Sequence, residues 1–271
     1  DRRNNRQMAR ETREEKVPDE KAQQKRADQR WQKVAAGAEE LAVWLKDAVR
    51  AGVMNVPQDS YHFTEKIAAR MIDAQAGGLA VDLKSMSALS FYKDGWQTRL
   101  LRRLCNLYLL LQAWKKIGEL DEIWQQEIKI RMGWSPKIEE VAKEVPVRDE
   151  WRVLAVTNEL VDNTLRVDKV WFWGRKTRRF ALLLQYYTAQ QATSRQSFLT
   201  GSVLDADMAF YPSVWPLRAI LREQYGPAPS FRPEGLRSLE ELLQEVSRAL
   251  SLNPLLLQIP ALLEDVRIQK K

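Results

Sequence analysis

The first thirty residues carry almost no pattern: Met8 and Val17 are the only large apolar side chains among charged and polar ones, and Pro18 divides the stretch. Such a segment buries too little surface to offset its ordering entropy and reads as a charged linker or a single exposed helix; the sharper reading is a basic arm lying along nucleic acid. From Trp31 the pattern becomes helical. Trp31, Val34, Ala38, Leu41, Leu45 and Ala48 recur at three- and four-residue spacing and share one face, and Gly52 stops the run. Asp59 or Ser60 can cap a second helix whose stripe is Phe63, Ile67 and Met71, with Gly77-Gly78 as its end. A short third helix covers 79–89. The strongest runs from about Gly95 to Ile117, with Trp96, Leu100, Leu104, Leu107, Leu111 and Trp114 on its apolar face and Arg99, Arg102 and Arg103 off it. Another covers 121–132, and Ser135-Pro136 reads as a cap and first turn ahead of Glu139 and Glu140.

After Pro146 the period drops to two. Trp151, Val153 and Ala155 alternate with Arg152 and Leu154; Asp162-Asn163 offers a turn; Leu165, Val167, Lys169, Trp171 and Trp173 form a second strand. A basic turn, 174–178, leads into a third strand through Phe180, Leu182, Leu184 and Tyr186. A fourth spans 201–211, with Leu204, Ala206, Met208 and Phe210 on one face and Asp205 and Asp207 on the other. A helix over 216–223 is expected next, then a Pro-rich loop over 227–233. Ser238 and Glu241 form a capping box before Leu239, Leu242, Leu243, Val246 and Leu250. Asn253-Pro254 breaks that helix, and a last short apolar helix over 255–266 is interrupted at Pro260. The fold class is α+β: an N-terminal all-helical bundle (31–146), a small antiparallel meander of about four strands with one helix (147–226), and C-terminal helices behind the Pro-rich loop (227–271). The short link at Pro146 and the placement of Trp151 predict tight packing of the helical and sheet halves.

Composition narrows the chemistry. The 271 residues are 45% hydrophobic and 29% charged, with a net charge of +7. This fits an ordinary globular core and makes nucleic acid or an acidic protein surface a natural partner class. One Cys and one His exclude an internal disulfide and any Cys/His zinc cluster within these residues. No apolar run approaches the ~18 residues of a membrane span. The chain opens on Asp1 rather than Met, which reads as a piece of something longer, and the single Cys points to the cytoplasm.

No phosphate cradle, zincin motif or nucleophile elbow is present. His62, beside Tyr61 and Phe63 at a helix start, reads as a local structural or surface residue; Cys105, on a helix read as buried, is an inert thiol. Asp205 and Asp207 stand about 6–7 Å apart on one strand face. They would bind a hard cation if further oxygens converged; otherwise they are the solvent face of an edge strand. Catalytic and metal residues are therefore read as none. The densest basic cluster, Arg175, Lys176, Arg178 and Arg179, sits at a hairpin tip near Trp171, Trp173, Tyr186 and Tyr187. Those cations could neutralise phosphates while the aromatics stack on unpaired bases, or form a solvated turn above core aromatics. The ten tryptophans mostly keep helical spacing with Leu or Ile and read as core.

Several segments, in consistent order, resemble the region after the finger in bacterial SWIM zinc finger proteins. They are Gln29-Arg30-Trp31 through Glu39-Glu40-Leu41-Ala42-Val43-Trp44-Leu45 with Arg50-Ala51-Gly52; Ala69-Arg70-Met71-Ile72-Asp73-Ala74-Gln75-Ala76-Gly77-Gly78-Leu79; Leu107-Tyr108-Leu109-Leu110-Leu111; and Gly133-Trp134. Arg148-Asp149-Glu150-Trp151, Trp171-Phe172-Trp173-Gly174, Gly201-Ser202-Val203-Leu204-Asp205-Ala206 and Phe210-Tyr211-Pro212 continue it over roughly 29–266. The family's C-x-C…C-x-H zinc site has no counterpart in this sequence, so the resemblance places zinc only in a finger upstream of Asp1, and further strands after Lys271. It implies a non-enzymatic adaptor or protein-interaction module, with a MoxR-type AAA ATPase or a von Willebrand A protein as partner by context. DNA binding is the class's other known use. The alternatives drawn from the residues stay open: nucleic-acid binding through the basic hairpin and arm, or a metal-dependent enzyme using Asp205 and Asp207.

Overall fold

The computed structural model describes residues 20–267 apart from 55, 57–61, 88, 162–163 and 194. Most of the basic arm, the Asp59 and Ser60 caps and the Asp162-Asn163 turn lie outside the described residues. The chain divides into two compact units, through Leu101 and from Arg102 onward.

In the first unit, α1 (Glu20–Ala51), α2 (Glu65–Asp73) and α3 (Gly77–Ser87) pack in sequence. Val34, Ala38, Leu41 and Leu45 are buried as their spacing predicts, while Trp31 stands at the margin, 38% exposed. Gly37 lets α1 and the end of α2 meet closely: a Cβ there would stand 2.6 Å from the Ala74 Cβ. Trp44 and Phe63 are in ring contact at 5.2 Å, and Arg70 pairs with Glu40. Gly77-Gly78 does not stop α2; it opens α3. Gln75, in the left-handed region at φ 61°, makes the turn, so no glycine is required there. α4 (Trp96–Lys115) carries the boundary between the units, and all six residues of its predicted apolar stripe are buried. Cys105 corrects the expectation: it lies on the exposed side of α4.

In the second unit, α5 (Glu122–Met132) ends in a left-handed Gly133 at φ 105°. The short α6 (Ile138–Val141) begins after Lys137 rather than at Ser135-Pro136; the Glu140 carboxylate accepts the Lys137 backbone N–H at 3.0 Å. Five strands follow: β1 (Val147–Leu160), β2 (Leu165–Gly174), β3 (Phe180–Thr188), β4 (Val203–Phe210) and β5 (Arg218–Pro227). They close into a barrel in the order β1-β2-β3-β5-β4, every contact antiparallel except β3–β5. This connectivity is that of a five-stranded Greek-key barrel of the OB type. The α+β class holds, with five strands instead of about four and a closed barrel instead of a meander.

The fifth strand replaces the helix expected over 216–223. Ala219 and Leu221 ladder against Phe210 and Met208 of β4, and the pairing outweighs local helix preference. Trp151, Val153, Val170, Phe172, Ala181, Leu183 and the predicted inward set of β4 fill the interior. Trp151 Nε1 donates to the Ala206 carbonyl of the neighbouring β4 at 3.0 Å. A register shift between Val153 and Ala155 bends β1. In β2 the inward residues near the tip are Val170 and Phe172; Trp171 and Trp173 stand outside, half-buried. β3 and β5 touch over only two residue pairs. The connection after β3 backs this split: Phe198 packs edge-on to Phe172, and Gln196 bonds Gln224.

Glu127 fastens α5 to the barrel. It is 7% exposed and accepts from Ser213 Oγ at 2.5 Å and Val214 N at 3.3 Å. Glu127→Ala is expected to lower stability by about 1–3 kcal/mol, because it strands two donors. Urea unfolding measures this, and an unchanged midpoint would refute the role.

α7 (Leu239–Leu252) is capped by Ser238, whose Oγ accepts from Glu241 N at 3.1 Å, but the expected reciprocal bond is shifted by one residue: the Glu241 carboxylate accepts from Arg237 N at 2.7 Å instead of Ser238 N. The helix expected over 255–266 is absent. Instead Leu236 N donates to Leu262 O at 2.8 Å and Glu264 N to Leu236 O at 2.9 Å, so the terminal segment runs beside 235–237 as a bridged strand-like stretch.

Candidate interaction cleft

The β2–β3 turn is a hairpin tip, as the basic run predicts, but its cations are differently placed. Asp149, on β1 and 1% exposed, accepts from Lys176 N at 3.0 Å, Thr177 N at 2.8 Å and Thr177 Oγ1 at 2.7 Å. Gly174 allows this approach, since a Cβ would stand 2.6 Å from Asp149 Oδ2. Arg175 reaches Glu150 at 2.7 Å, and Arg178 reaches Glu234 at 2.7 Å. Arg179 stacks on Phe210, its guanidinium carbon 4.4 Å from the ring centre. Lys176 is exposed. The tip is thus an anchored turn in which two of the four cations are paired with carboxylates.

Arg178 and Arg179 instead line a cleft of about 540 Å³ formed by the barrel, α7 and the 259–262 segment. Its barrel wall carries Trp173, Phe180 and Trp215; its other wall carries Leu242, Val246 and Ile259. Trp173 and Phe180 meet edge-on at 4.7 Å. Glu234 holds Arg178, and Glu245 stands 3.8 Å from Arg248, so both carboxylates of the cleft have an arginine beside them. Arg179 has no carboxylate partner among the described residues. Its aromatic contact occupies the face of the guanidinium and leaves the N–H edge for acceptors. Sequence reading singles out Arg178 and Arg179 but misses Trp215, Arg248 and Glu234, which no local motif marks. α7 shows its apolar stripe incompletely covered, with Leu239 71% and Leu243 58% exposed.

The far wall is clipped in place by Glu264, which accepts from Gly235 N at 3.0 Å and Arg237 Nε at 3.1 Å. The Gly235 backbone bond, then Arg237, hold its carboxyl below the usual 4.5. A depressed folded value contributes stability above the unfolded value, and that contribution is lost as pH falls through the folded one. Protection of the Gly235 and Leu236 amides, measured against their intrinsic exchange rates, is therefore expected to fall in acid below about pH 4.5, and in Glu264→Gln to be lower already at neutral pH. Equal exchange in both proteins at pH 7 would refute the clip.

Asp205 and Asp207 share the outer face of β4 as predicted but are engaged separately. Arg148 forks onto Asp205 at 3.0 and 3.2 Å, and its hydrogen bonding lowers that carboxyl's pKa. Asp207 and Glu223 both face the Tyr225 hydroxyl, at 3.0 and 3.1 Å. The bond to Asp207, with burial and Glu223 adding, pushes that phenol up to about 12. No group of three or more His, Cys, Asp or Glu side chains is arranged to hold a metal among the described residues. His62 is exposed, 3.9 Å from Glu65. Among the described residues no helix is long and apolar enough to cross a membrane.

Residues 29–132 match the family model of the SWIM-associated four-helix bundle domain, so this stretch is similar to that domain. The match includes α2 to α5 and most of α1. No curated protein and no solved structure matches the chain.

Proposed function

We propose that the chain is a non-enzymatic protein-interaction module, an adaptor in which the barrel cleft receives a segment of a partner. The observation that carries this is the cleft itself: three aromatic side chains face an amphipathic helix whose apolar stripe is only partly covered. A largely apolar concavity with a few placed charges is the usual form of a binding site. The proposed context is the adaptor role of SWIM finger proteins, with a MoxR-type AAA ATPase or a von Willebrand A protein as the first partners to test and a cytoplasmic location. Zinc belongs, on this reading, to a finger upstream of Asp1. The test is direct titration of this chain with the purified ATPase and von Willebrand A protein from the same genome, in parallel with Trp215→Ser. Binding weakened at least tenfold in the variant supports the reading; equal binding by both proteins removes the cleft from it.

A second reading, nucleic-acid binding, is favoured by one observation: OB-type barrels frequently carry oligonucleotides on their outer strands and loops. Fold alone does not assign function, and the ion pairs at Arg175 and Arg178 weaken the electrostatic argument. Fluorescence polarisation with mixed-sequence DNA and RNA decides it. Salt-sensitive binding lost on neutralising Lys176 and Arg179 would support this reading.

A further inference from the structure

We infer that the cleft selects an acidic-apolar peptide: a short extended segment of the partner whose carboxylate meets Arg179 and whose neighbouring apolar side chains meet Trp173, Phe180 and Trp215. This rests on the docking reading above and names the chemistry of its occupant.

Charge decides the choice of occupant. The cleft carries three arginines and two glutamates. Glu234 contacts Arg178, and Glu245 lies beside Arg248, leaving Arg179 as the surplus cation. Arg179 is half-buried, and its stacking on Phe210 fixes the guanidinium plane without using its hydrogens. A half-withdrawn guanidinium with free N–H edges matches a carboxylate in a two-pronged geometry. Position adds to this: Arg179 lines the same cleft as Trp173, Phe180 and Trp215. A ligand reaching Arg179 therefore lays its adjacent atoms on aromatic surface. The volume, about 540 Å³, suits a few side chains rather than a whole helix. A phosphodiester strand would bring repeated charge to a site with one surplus cation and two carboxylates, which disfavours nucleic acid as the occupant.

The test uses the full chain and a displayed library of random twelve-residue peptides, counter-selected against Leu242→Glu, a variant checked for an unchanged melting temperature. Enriched peptides are resynthesised with a fluorophore, each in its selected form, with its acidic residue changed to Gln, and with it changed to Lys. The expected result is enrichment of Asp or Glu beside Leu, Phe or Trp, and roughly tenfold weaker binding on the change to Gln. Arg179→Glu should weaken the acidic peptide further and restore binding of its Lys form. Peptides that bind the cleft without a carboxylate, or indifferently to Arg179→Glu, overturn this inference and leave the docking reading standing. Failure to enrich any peptide that the counter-selection variant loses overturns both. Labelled dT20 bound at physiological salt and released by Arg179→Glu would overturn both in favour of nucleic acid.

Discussion

Asp149→Ala is expected to destabilise the protein by about 3 kcal/mol and to detach the β2–β3 tip from β1. The carboxylate is buried at 1% exposure and accepts four hydrogen bonds: from Glu150 N at 2.7 Å, and from Lys176 N, Thr177 N and Thr177 Oγ1 across the strand pair. Alanine leaves those donors facing a hole that the barrel wall cannot close. Bonds to a charged acceptor exceed neutral ones, about 1.5–3 kcal/mol each against ~1, but exposed tip amides recover water, so the loss stays well below their sum. Urea unfolding reads the total. Amide exchange at Lys176 and Thr177 locates it, since these two should lose protection before the rest of β2 and β3. Gly174→Ala attacks the same contact from the other side, because its methyl would meet Thr177 Oγ1 at 2.5 Å and Asp149 Oδ2 at 2.6 Å. A shared phenotype for the two variants ties the effect to the Asp149 contact; a normal midpoint in both would refute it. The tip also carries Arg178 and Arg179 into the cleft, so peptide affinity should fall in both variants more than global stability predicts.

How much of this can be read from sequence depends on the range of the interaction. The helix stripes are legible because burial repeats within one turn: Leu100, Leu104, Leu107 and Leu111 declare one face without reference to any other element. The inward face of β4 is legible for the same reason. The barrel is not. Its closure depends on β5, whose Ala219 and Leu221 look helical until paired with Phe210 and Met208, and on a parallel contact of only two residue pairs with β3. The last segment misleads in the same way, since Leu255 to Val266 is apolar enough for a helix but takes its backbone partners from Leu236. At the candidate site, density of positive charge picks out the hairpin tip but not the carboxylates that stand beside its arginines. The partners that neutralise Arg175 and Arg178 are Glu150, twenty-five residues before, and Glu234, fifty-six after. No local window contains them. Trp215 and Arg248 enter the cleft from elements that sequence spacing gives no reason to bring together.

The second large effect is expected at the opposite end of β2. Asp168→Ala should cost about 3 kcal/mol, the low end of the range for removing one partner of a buried ion pair, because the Arg195 side chain is 33% exposed. Asp168 points inward at 3% exposure and pairs with Arg195, while Asn158 Nδ2 at 2.7 Å and the Tyr187 hydroxyl at 3.1 Å donate to its Oδ1. Arg195 also stacks on Tyr187, 4.7 Å from its ring centre. The pair does more than fill space. Arg195 belongs to the connection that backs the split between β3 and β5, so losing its anchor should free Phe198 from Phe172 and open the barrel along its weakest seam. Removing the carboxylate leaves a guanidinium partly withdrawn from water, which is the costly half of the change. Arg195→Met in the same chain removes that charge and keeps much of the side chain's bulk. The double variant should therefore be more stable than Asp168→Ala alone, with a coupling of about 1–3 kcal/mol in a double-mutant cycle. Calorimetry supplies all four corners of the cycle. Additive losses would show that the two residues act separately, and would remove the ion pair as the device that holds the barrel shut.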